Sequence, residues 1–337
     1  LLRGRNALKR SYYITTDGRI RRKDNTVYFE GSDKRKYLPV NDIETLYLFG
    51  EIDLNSKALN FLGQNNITIH LFNYYGFYTG SFYPREYLPS GYCTVNQVKK
   101  YLDTKARLDI AKEIIEASSF NILKNIKYYN ARRDGKLDEV VQRIENERKA
   151  IQTTRCIGEL MGIEGRVRDN YYRTFSIITK GRFLLGKRVK RPPDNAMNTL
   201  ISFGNSLMYT AVLSEIYHTQ LNPTVSFLHQ PGERRFSLSL DISEIFKPII
   251  VDRIIFKLVN ENIISENDFT NELNFCHLSD SGRKGFLQEY DSKLSTTIGH
   301  RKLGRKVSYR RLIRLECYKL LKHVNDIQKY EGFKMWW

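Results

Sequence analysis

The chain has 337 residues, 41% of them hydrophobic, which is enough to build real cores and more than one typical domain needs. Its 55 Lys and Arg against 37 Asp and Glu leave a formal charge of +18, an imbalance that suits a polyanion, nucleic acid first, better than a peptide or a sugar. An acidic membrane surface would require an amphipathic anchor or a long apolar run, and neither is visible.

Residues 1–8 open Leu1-Leu-Arg-Gly-Arg with no initiator methionine and no apolar h-region, so they read as a leader remnant or the stub of something longer, not as a signal peptide. Residues 9–83 read as short strands, Tyr12-Tyr-Ile14, Thr26-Val-Tyr-Phe29, Lys36-Tyr-Leu38, Thr45-Leu-Tyr-Leu-Phe49, Thr68-Ile-His-Leu-Phe72 and Gly76-Phe-Tyr78. Aromatic and β-branched residues between Asp-Gly (Asp17-Gly18) and Asn-Asp (Asn41-Asp42) punctuation carry that signature, with one helix near residues 56–64. Pro84, Pro89, Ser90 and Gly91 mark residues 84–94 as a linker.

Residues 95–337 read as mainly helical, because apolar residues recur there at spacings of three and four. Tyr309, Leu312, Ile313, Cys317, Leu320, Leu321 and Val324 trace one such stripe. The expected class is α+β multidomain: a small N-terminal β-rich domain, then a larger, mainly α-helical C-terminal domain that carries the chemistry.

Two runs in the helical part contain no acid. Residues 180–191 hold Lys180, Arg182, Lys187, Arg188, Lys190 and Arg191; residues 301–314 hold Arg301, Lys302, Arg305, Lys306, Arg310, Arg311 and Arg314. A charge run is usually solvated surface, but two acid-free runs in one domain favour phosphate contacts.

His229 stands twelve residues before Asp241 and fifteen before Glu244. One helical turn would put both carboxylates on one face, and an imidazole with two carboxylates is the material of a divalent metal site. In a basic chain such a cation suggests chemistry on a phosphodiester. The bland alternative is a loop histidine, Asp241 as a helix N-cap and Glu244 closing a capping box. His70, in an apolar strand, reads as a hydrogen-bonded core residue. No G-x-x-x-x-G-K-[ST], G-x-G-x-x-G or G-x-S-x-G occurs, so nucleotide hydrolysis, dinucleotide binding and serine hydrolysis have no motif to rest on. Cys93, Cys156, Cys276 and Cys317 form no C-x-x-C pair, which speaks against structural zinc or a disulfide framework and fits a reducing cytoplasm.

Five further segments stand in a fixed order: residues 82–87 (Phe-Tyr-Pro-Arg-Glu-Tyr), 160–172 around Glu164, 191–209 ending at Tyr209, 227–229 ending at His229, and 237–253 with Asp241, Glu244, Pro248, Asp252 and Arg253. The series resembles the Cas1 family, the integrase and nuclease of CRISPR spacer acquisition, from about residue 9 to about residue 324. The resemblance implies a homodimer, two of which join a central Cas2 dimer, and admits a Cas4 nuclease as a further partner. It puts metal ligands, for Mg²⁺ or Mn²⁺, on Glu164, His229 and Glu244. Many relatives have aspartate at the last of these, so Glu244 is one methylene longer. Asp241 matches a second acidic position that would orient a ligand or bind through water. Tyr209 matches a tyrosine near the active site, with packing as its other reading; Asn198 and Asn205 would be helix-packing polar groups. The implied reaction is attack by the 3′-hydroxyl of protospacer DNA on a phosphodiester at a CRISPR repeat boundary. Two rivals use the same features: a general metal-dependent DNA nuclease of repair, and a non-catalytic DNA-binding scaffold.

Overall fold

The computed structural model describes residues 9–32, 35–85, 88, 90–189, 192–232, 236–272, 275–300 and 303–336. The chain divides after residue 87 into two compact units.

The first unit contains β1 (Arg10–Ile14), β2 (Gly18–Lys23), β3 (Thr26–Glu30), β4 (Arg35–Leu38), β5 (Ile43–Leu48), β6 (Ile52–Leu54), α1 (Ser56–Gln64), β7 (Thr68–Phe72) and β8 (Tyr78–Phe82). These strands make two four-stranded sheets, ordered β1-β5-β7-β8 and β4-β3-β2-β6. β1, β5 and β7 run parallel, with Leu46 opposite both Tyr12 and Ile69. Parallel neighbours need a crossover, and β6 with α1 supplies the one between β5 and β7. Asn55 caps α1 by accepting from the Ala58 amide at 3.0 Å. Ile14, Ile20, Val27, Leu38, Leu46, Leu62 and Ile69, drawn from both sheets and α1, share one apolar core.

Asp17-Gly18 punctuates the sequence, yet Gly18 is also the first residue of β2. A Cβ on it would lie 2.4 Å from the Glu30 carbonyl oxygen, so only glycine permits this strand approach. The rest of β2, Arg-Ile-Arg-Arg-Lys, holds one apolar side chain, the fully buried Ile20, which is why the period-2 signal is faint there. Gly76 lies before β8, which starts at Tyr78.

The second unit is built from α2 (Gly91–Leu102), α3 (Thr104–Asn130), α4 (Asp138–Ala150), α5 (Ile157–Arg173), α6 (Phe175–Ile178), α7 (Ala196–Tyr217), α8 (Ser237–Phe246), α9 (Arg253–Asn260), β9 (Phe269–Glu272), β10 (Phe275–Leu278), α10 (Asp280–Ser295), β11 (Thr297–His300), β12 (Arg305–Ser308) and α11 (Tyr309–Val324). Ser90 caps α2 by accepting from the Cys93 amide at 3.2 Å, so the segment expected to be linker through residue 94 is already helical from Gly91. The hairpins β9-β10 and β11-β12 interrupt the helices. Their four-residue strands are too short to declare a period.

The core of this unit is α7, apolar on nearly every side and packed against α8, α11 and β10. At Gly204 a Cβ would meet Val251 at 2.5 Å and Phe286 at 2.9 Å, so the glycine brings α7 close to the segment after α8. On α11, Tyr309, Leu312, Ile313, Cys317, Leu320 and Val324 are buried as the stripe expects, while Leu321 is only half-buried. Among the described residues no helix is long and apolar enough to cross a membrane.

Candidate active site

Two helices and one loop bring the expected residues to one place in the second unit. Glu164 sits in the middle of α5, not at a helix start as the flanking glycines suggest. The near-alternating run before Asp241 is helix as well: α8 begins at Ser237, which leaves Asp241 and Glu244 inside it and removes the capping reading of both. α8 passes into a wider π-turn at Pro248–Asp252. Pro248 has no N–H to offer the carbonyl of Glu244 four residues earlier, and Ser118 Oγ of α3 donates to that carbonyl at 2.9 Å. Asn121 Nδ2 does the same for Ile245 at 3.0 Å, and Asn125 Nδ2 for Pro248. The polar face of α3 thus fixes the end of the helix that presents Glu244.

Asp241 is completely buried and organises the histidine loop. Its Oδ2 accepts from the amides of Phe227 at 2.7 Å and Leu228 at 2.9 Å. Its Oδ1 accepts from the His229 amide at 2.9 Å and faces His229 Nδ1 at 2.8 Å. A carboxylate can only accept, so Nδ1 carries a proton toward it and Nε2 is the nitrogen left facing away from Asp241. Among the described residues Nε2 has no hydrogen-bond partner. Ser226 Oγ closes the loop by donating to the His229 carbonyl at 2.7 Å and meeting Ser237 Oγ at 2.8 Å.

Arg168, one turn beyond Glu164, ties the two outer carboxylates together. Its Nε donates to Glu164 Oε1 at 2.7 Å and its Nη2 pairs with Glu244 Oε2. Lys247 Nζ donates to the other Glu244 oxygen at 2.7 Å. Burial alone would raise the Glu164 carboxyl, but the charge and hydrogen bond of Arg168, then the charges of Lys247 and His229, hold it below the usual carboxylate range. Burial, with the Arg168 charge beside it, brings Lys247 down to about 8. Burial pushes Asp252 up to about 6 against the opposing charges of Arg168, Lys247 and Arg188. Burial also lowers Arg188, with Tyr172 opposing it. Three carboxylates, Glu164, Glu244 and Asp252, therefore face three cations, Arg168, Lys247 and Arg188, in a largely dry setting.

The donor chemistry fits a divalent ion: two carboxylates and an imidazole that Asp241 holds through Nδ1, the arrangement by which outer residues set metal-binding histidines. As they stand, no three His, Cys, Asp or Glu side chains among the described residues are gathered into a ready-made metal group, because both glutamates turn toward Arg168.

The other expected residues lie around this centre or away from it. Tyr209, on α7, accepts from the amide of Phe236, the residue before α8, at 3.0 Å. Asn198 is fully buried and braces the loop before α7, donating to the Lys187 carbonyl and accepting from Arg188 Nη1 and the Val189 amide. Asn205 is half-buried on the same helix. Arg188 also donates to Ser202 Oγ, and Arg182 to the Val259 carbonyl and to Asn262, so both serve structure within the first basic run. Lys187, Arg305 and Lys306 are exposed. In the second run Arg314 pairs with Glu215 and Arg310 lies 3.8 Å from Asp291, so part of that acid-free stretch is neutralised from elsewhere in the chain. Lys190, Arg191, Arg301, Lys302, Glu86 and Tyr87 lie outside the described residues.

Sequence reasoning missed Arg168, Lys247, Asp252 and Tyr172 as members of the site. The signal was present: Arg168 is i+4 from Glu164 and Lys247 is i+3 from Glu244, the spacings at which helical side chains meet.

A β-strand unit ahead of a mainly helical unit is the architecture of one class of CRISPR-associated protein. The chain belongs to the Cas1 family: the family "CRISPR associated protein Cas1" matches residues 12–292. It is 53% identical to the CRISPR-associated endonuclease Cas1 3 of Thermodesulfovibrio yellowstonii, covering 97% of this chain and 100% of that one. It is 49% identical to the CRISPR-associated endonuclease Cas1 of Clostridium perfringens, covering 97% and 99%. Among solved structures it matches TM1797, a Cas1 protein from Thermotoga maritima, at 40% identity and TM-score 0.83, over 96% of this chain and 100% of that one. A casposase bound to its integration product shares the fold at TM-score 0.85 with 20% identity, covering 96% of this chain and 92% of that one.

Proposed function

We propose that the chain is a metal-dependent DNA endonuclease and integrase of CRISPR adaptation, inserting protospacer DNA into the array by 3′-hydroxyl attack on a repeat phosphodiester. The observation that carries this reading is the His229 imidazole, held through Nδ1 by buried Asp241 so that Nε2 is the nitrogen left for a ligand, in the same site as the Glu164 carboxyl. Glu164, His229 and Glu244 would hold the ion, Mg²⁺ or Mn²⁺. Mixed oxygen and nitrogen ligation suits Mn²⁺ better, and both ions are expected to support activity. A divalent ion supplies polarisation of the scissile phosphate and stabilises the charge that develops on it.

The protein's own residues do the rest. Asp241 fixes the imidazole tautomer, and the α3 side chains Ser118, Asn121 and Asn125 fix the stretch from Glu244 to Pro248. Arg168 and Lys247 offset the charge of the two glutamates. The net positive charge of the chain suits a double-stranded DNA partner. The working assembly is a homodimer joined to a Cas2 dimer, with a Cas4 nuclease as an optional partner. Curated relatives named as Cas1 endonucleases support the nuclease activity, and a solved Cas6-RT-Cas1–Cas2 complex whose match covers all of this chain but 38% of its own supports the shared fold.

The test is strand transfer with a fluorescent duplex and a supercoiled plasmid carrying a CRISPR array, with Mg²⁺, Mn²⁺ or EDTA. Labelled plasmid at the repeat boundary, lost in EDTA, is the expected result. Cutting without label transfer would leave a general nuclease, and binding without either reaction would leave a scaffold; both overturn the integrase reading.

A further inference from the structure

A second polar region of the helical unit holds more cations than carboxylates. Between the end of α3, the loop after α6, α9 and α10 lies a cavity of roughly 500 Å³. Six cations line it, Arg132, Arg133, Lys180, Arg253, Lys257 and Lys293, against two carboxylates, Glu261 and Glu289.

Most of these cations have their places fixed by the fold. Arg133 donates to the Ile177 and Ile178 carbonyls and Arg132 to the Tyr128 carbonyl. Lys257 pairs with Glu289 at 2.7 Å. Arg253 and Lys293 differ: among the described residues the first donates to the weak acceptor Met335 Sδ at 3.6 Å, the second to Tyr309 Oη at 3.2 Å. Among the described residues neither has a carboxylate partner. Burial pulls the Lys293 ammonium down to about 8, and the positive charges of Arg253 and Lys257 add to that effect. An anion between them would remove both costs.

The wall beside these cations is aromatic. Tyr128 is 42% exposed, with the Arg132 guanidinium 3.7 Å and the Arg253 guanidinium 5.3 Å from its ring centre. A tyrosine face layered with a guanidinium is a surface on which a nucleobase stacks. Cavities of this size take one small ligand.

We infer that this cavity binds a nucleotide unit, its phosphate between Arg253 and Lys293 and its base against Tyr128. The shared chemistry has two sources, a free nucleotide or a nucleotide of single-stranded DNA. None of the lining residues belongs to the Glu164, His229 and Glu244 group, so the site is separate from the proposed catalytic centre.

The test uses the full chain in EDTA, which makes it independent of the metal chemistry proposed above. Deoxyadenosine 5′-monophosphate and a five-nucleotide single strand are titrated by calorimetry against the wild type, Arg253→Gln, Lys293→Met and the exposed Lys180→Gln, each checked for folding by its thermal melt. Wild-type binding that weakens roughly tenfold or more in Arg253→Gln or Lys293→Met, and by less in Lys180→Gln, is the expected result, since a charge-assisted hydrogen bond is lost. Glu289→Gln removes an opposing charge and is expected to strengthen binding. Equal affinity for both probes identifies a free nucleotide as the source; binding of the single strand alone identifies DNA. No binding of either probe by the wild type, or equal binding by the folded variants, overturns the site.

Discussion

The two compact units bury ionisable groups in opposite ways. In the β unit His70 is fully enclosed in β7, its Nδ1 2.6 Å from Ser81 Oγ, and burial lowers its pKa to about 3, so it stays neutral. In the helical unit Glu164, Glu244 and Arg168 are charged, paired and held by helices whose backbone is itself braced by buried asparagines. A neutral buried group needs one hydrogen bond; a charged one needs partners on several elements. The first arrangement is what a core tolerates. The second is an arrangement typical of functional sites.

The largest expected effect separates charge balance from chemistry. Glu244→Ala is expected to lower cleavage and integration by roughly a thousandfold or more, as loss of a metal ligand does. It also leaves Arg168 facing Glu164 alone in a buried setting, so the variant is expected to lose about 3 kcal/mol of stability. Loss of this proposed ligand is therefore loss of a buried ion pair too. Adding Arg168→Met rebalances the net charge but takes the ion-pair partner from Glu164, so it is expected to restore part of the thermal stability and none of the activity. A stable double variant that cleaves at the wild-type rate would sink the assignment of Glu244.

The β unit makes the opposite prediction for pH. The unfolded chain takes up a proton on His70 below about pH 6.5, whereas the folded chain resists it down to about 3. His70 therefore contributes stability that is fully present above pH 6.5 and is lost as pH falls, by up to roughly 4–5 kcal/mol. Hydrogen exchange of the β5 and β7 amides between pH 7 and pH 4 reads this locally. An imidazole NMR titration with a midpoint near 6.5 would show that His70 is not sealed from solvent.

What the sequence made legible follows the same division. Strands such as Thr26–Glu30 and Thr68–Phe72, and the helix Ser56–Gln64, announce themselves because one local period or one cap decides them. The strand from Gly18 stays hidden because its glycine serves a close approach to Glu30, a partner on another strand. At the site, the residue types and their spacing were visible, but not what they do with each other. Asp241 looks like a helix cap until α8 is seen to start four residues earlier, and its role, three backbone amides and one imidazole, depends on a loop twelve residues away. Arg188 looks like a phosphate contact in a basic run until Asn198 and Ser202 are found beside it.

Asp241→Asn tests the organising role at an intermediate size. An amide cannot accept on both arms, so at least one of the bonds to Phe227, Leu228 or His229 is lost, at a cost of about 2 kcal/mol. Melting temperature and cleavage are expected to fall together, and the Arg168→Met change that rescues Glu244→Ala is expected to give no rescue here. Rescue would mean that Asp241 belongs to the same charge balance as the glutamates.

The smallest effect concerns the basic runs, where the structure sorts residues that the sequence groups together. Lys187, Arg305 and Lys306 are exposed and available to phosphate, whereas Arg182 and Arg188 bond to the protein's own carbonyls and side chains. Changing each exposed cation to Gln is expected to reduce the slope of log affinity against log salt by roughly 0.9 on duplex DNA for every phosphate contact removed, with sequence preference and melting temperature unchanged. Arg188→Gln is expected to do the reverse, lowering the melting temperature through the loop at Asn198 while leaving the slope alone. If Arg188→Gln flattened the slope and the exposed changes did not, the DNA path would run through the buried end of the run, beside Tyr172 and the proposed catalytic centre, and not over its solvent face.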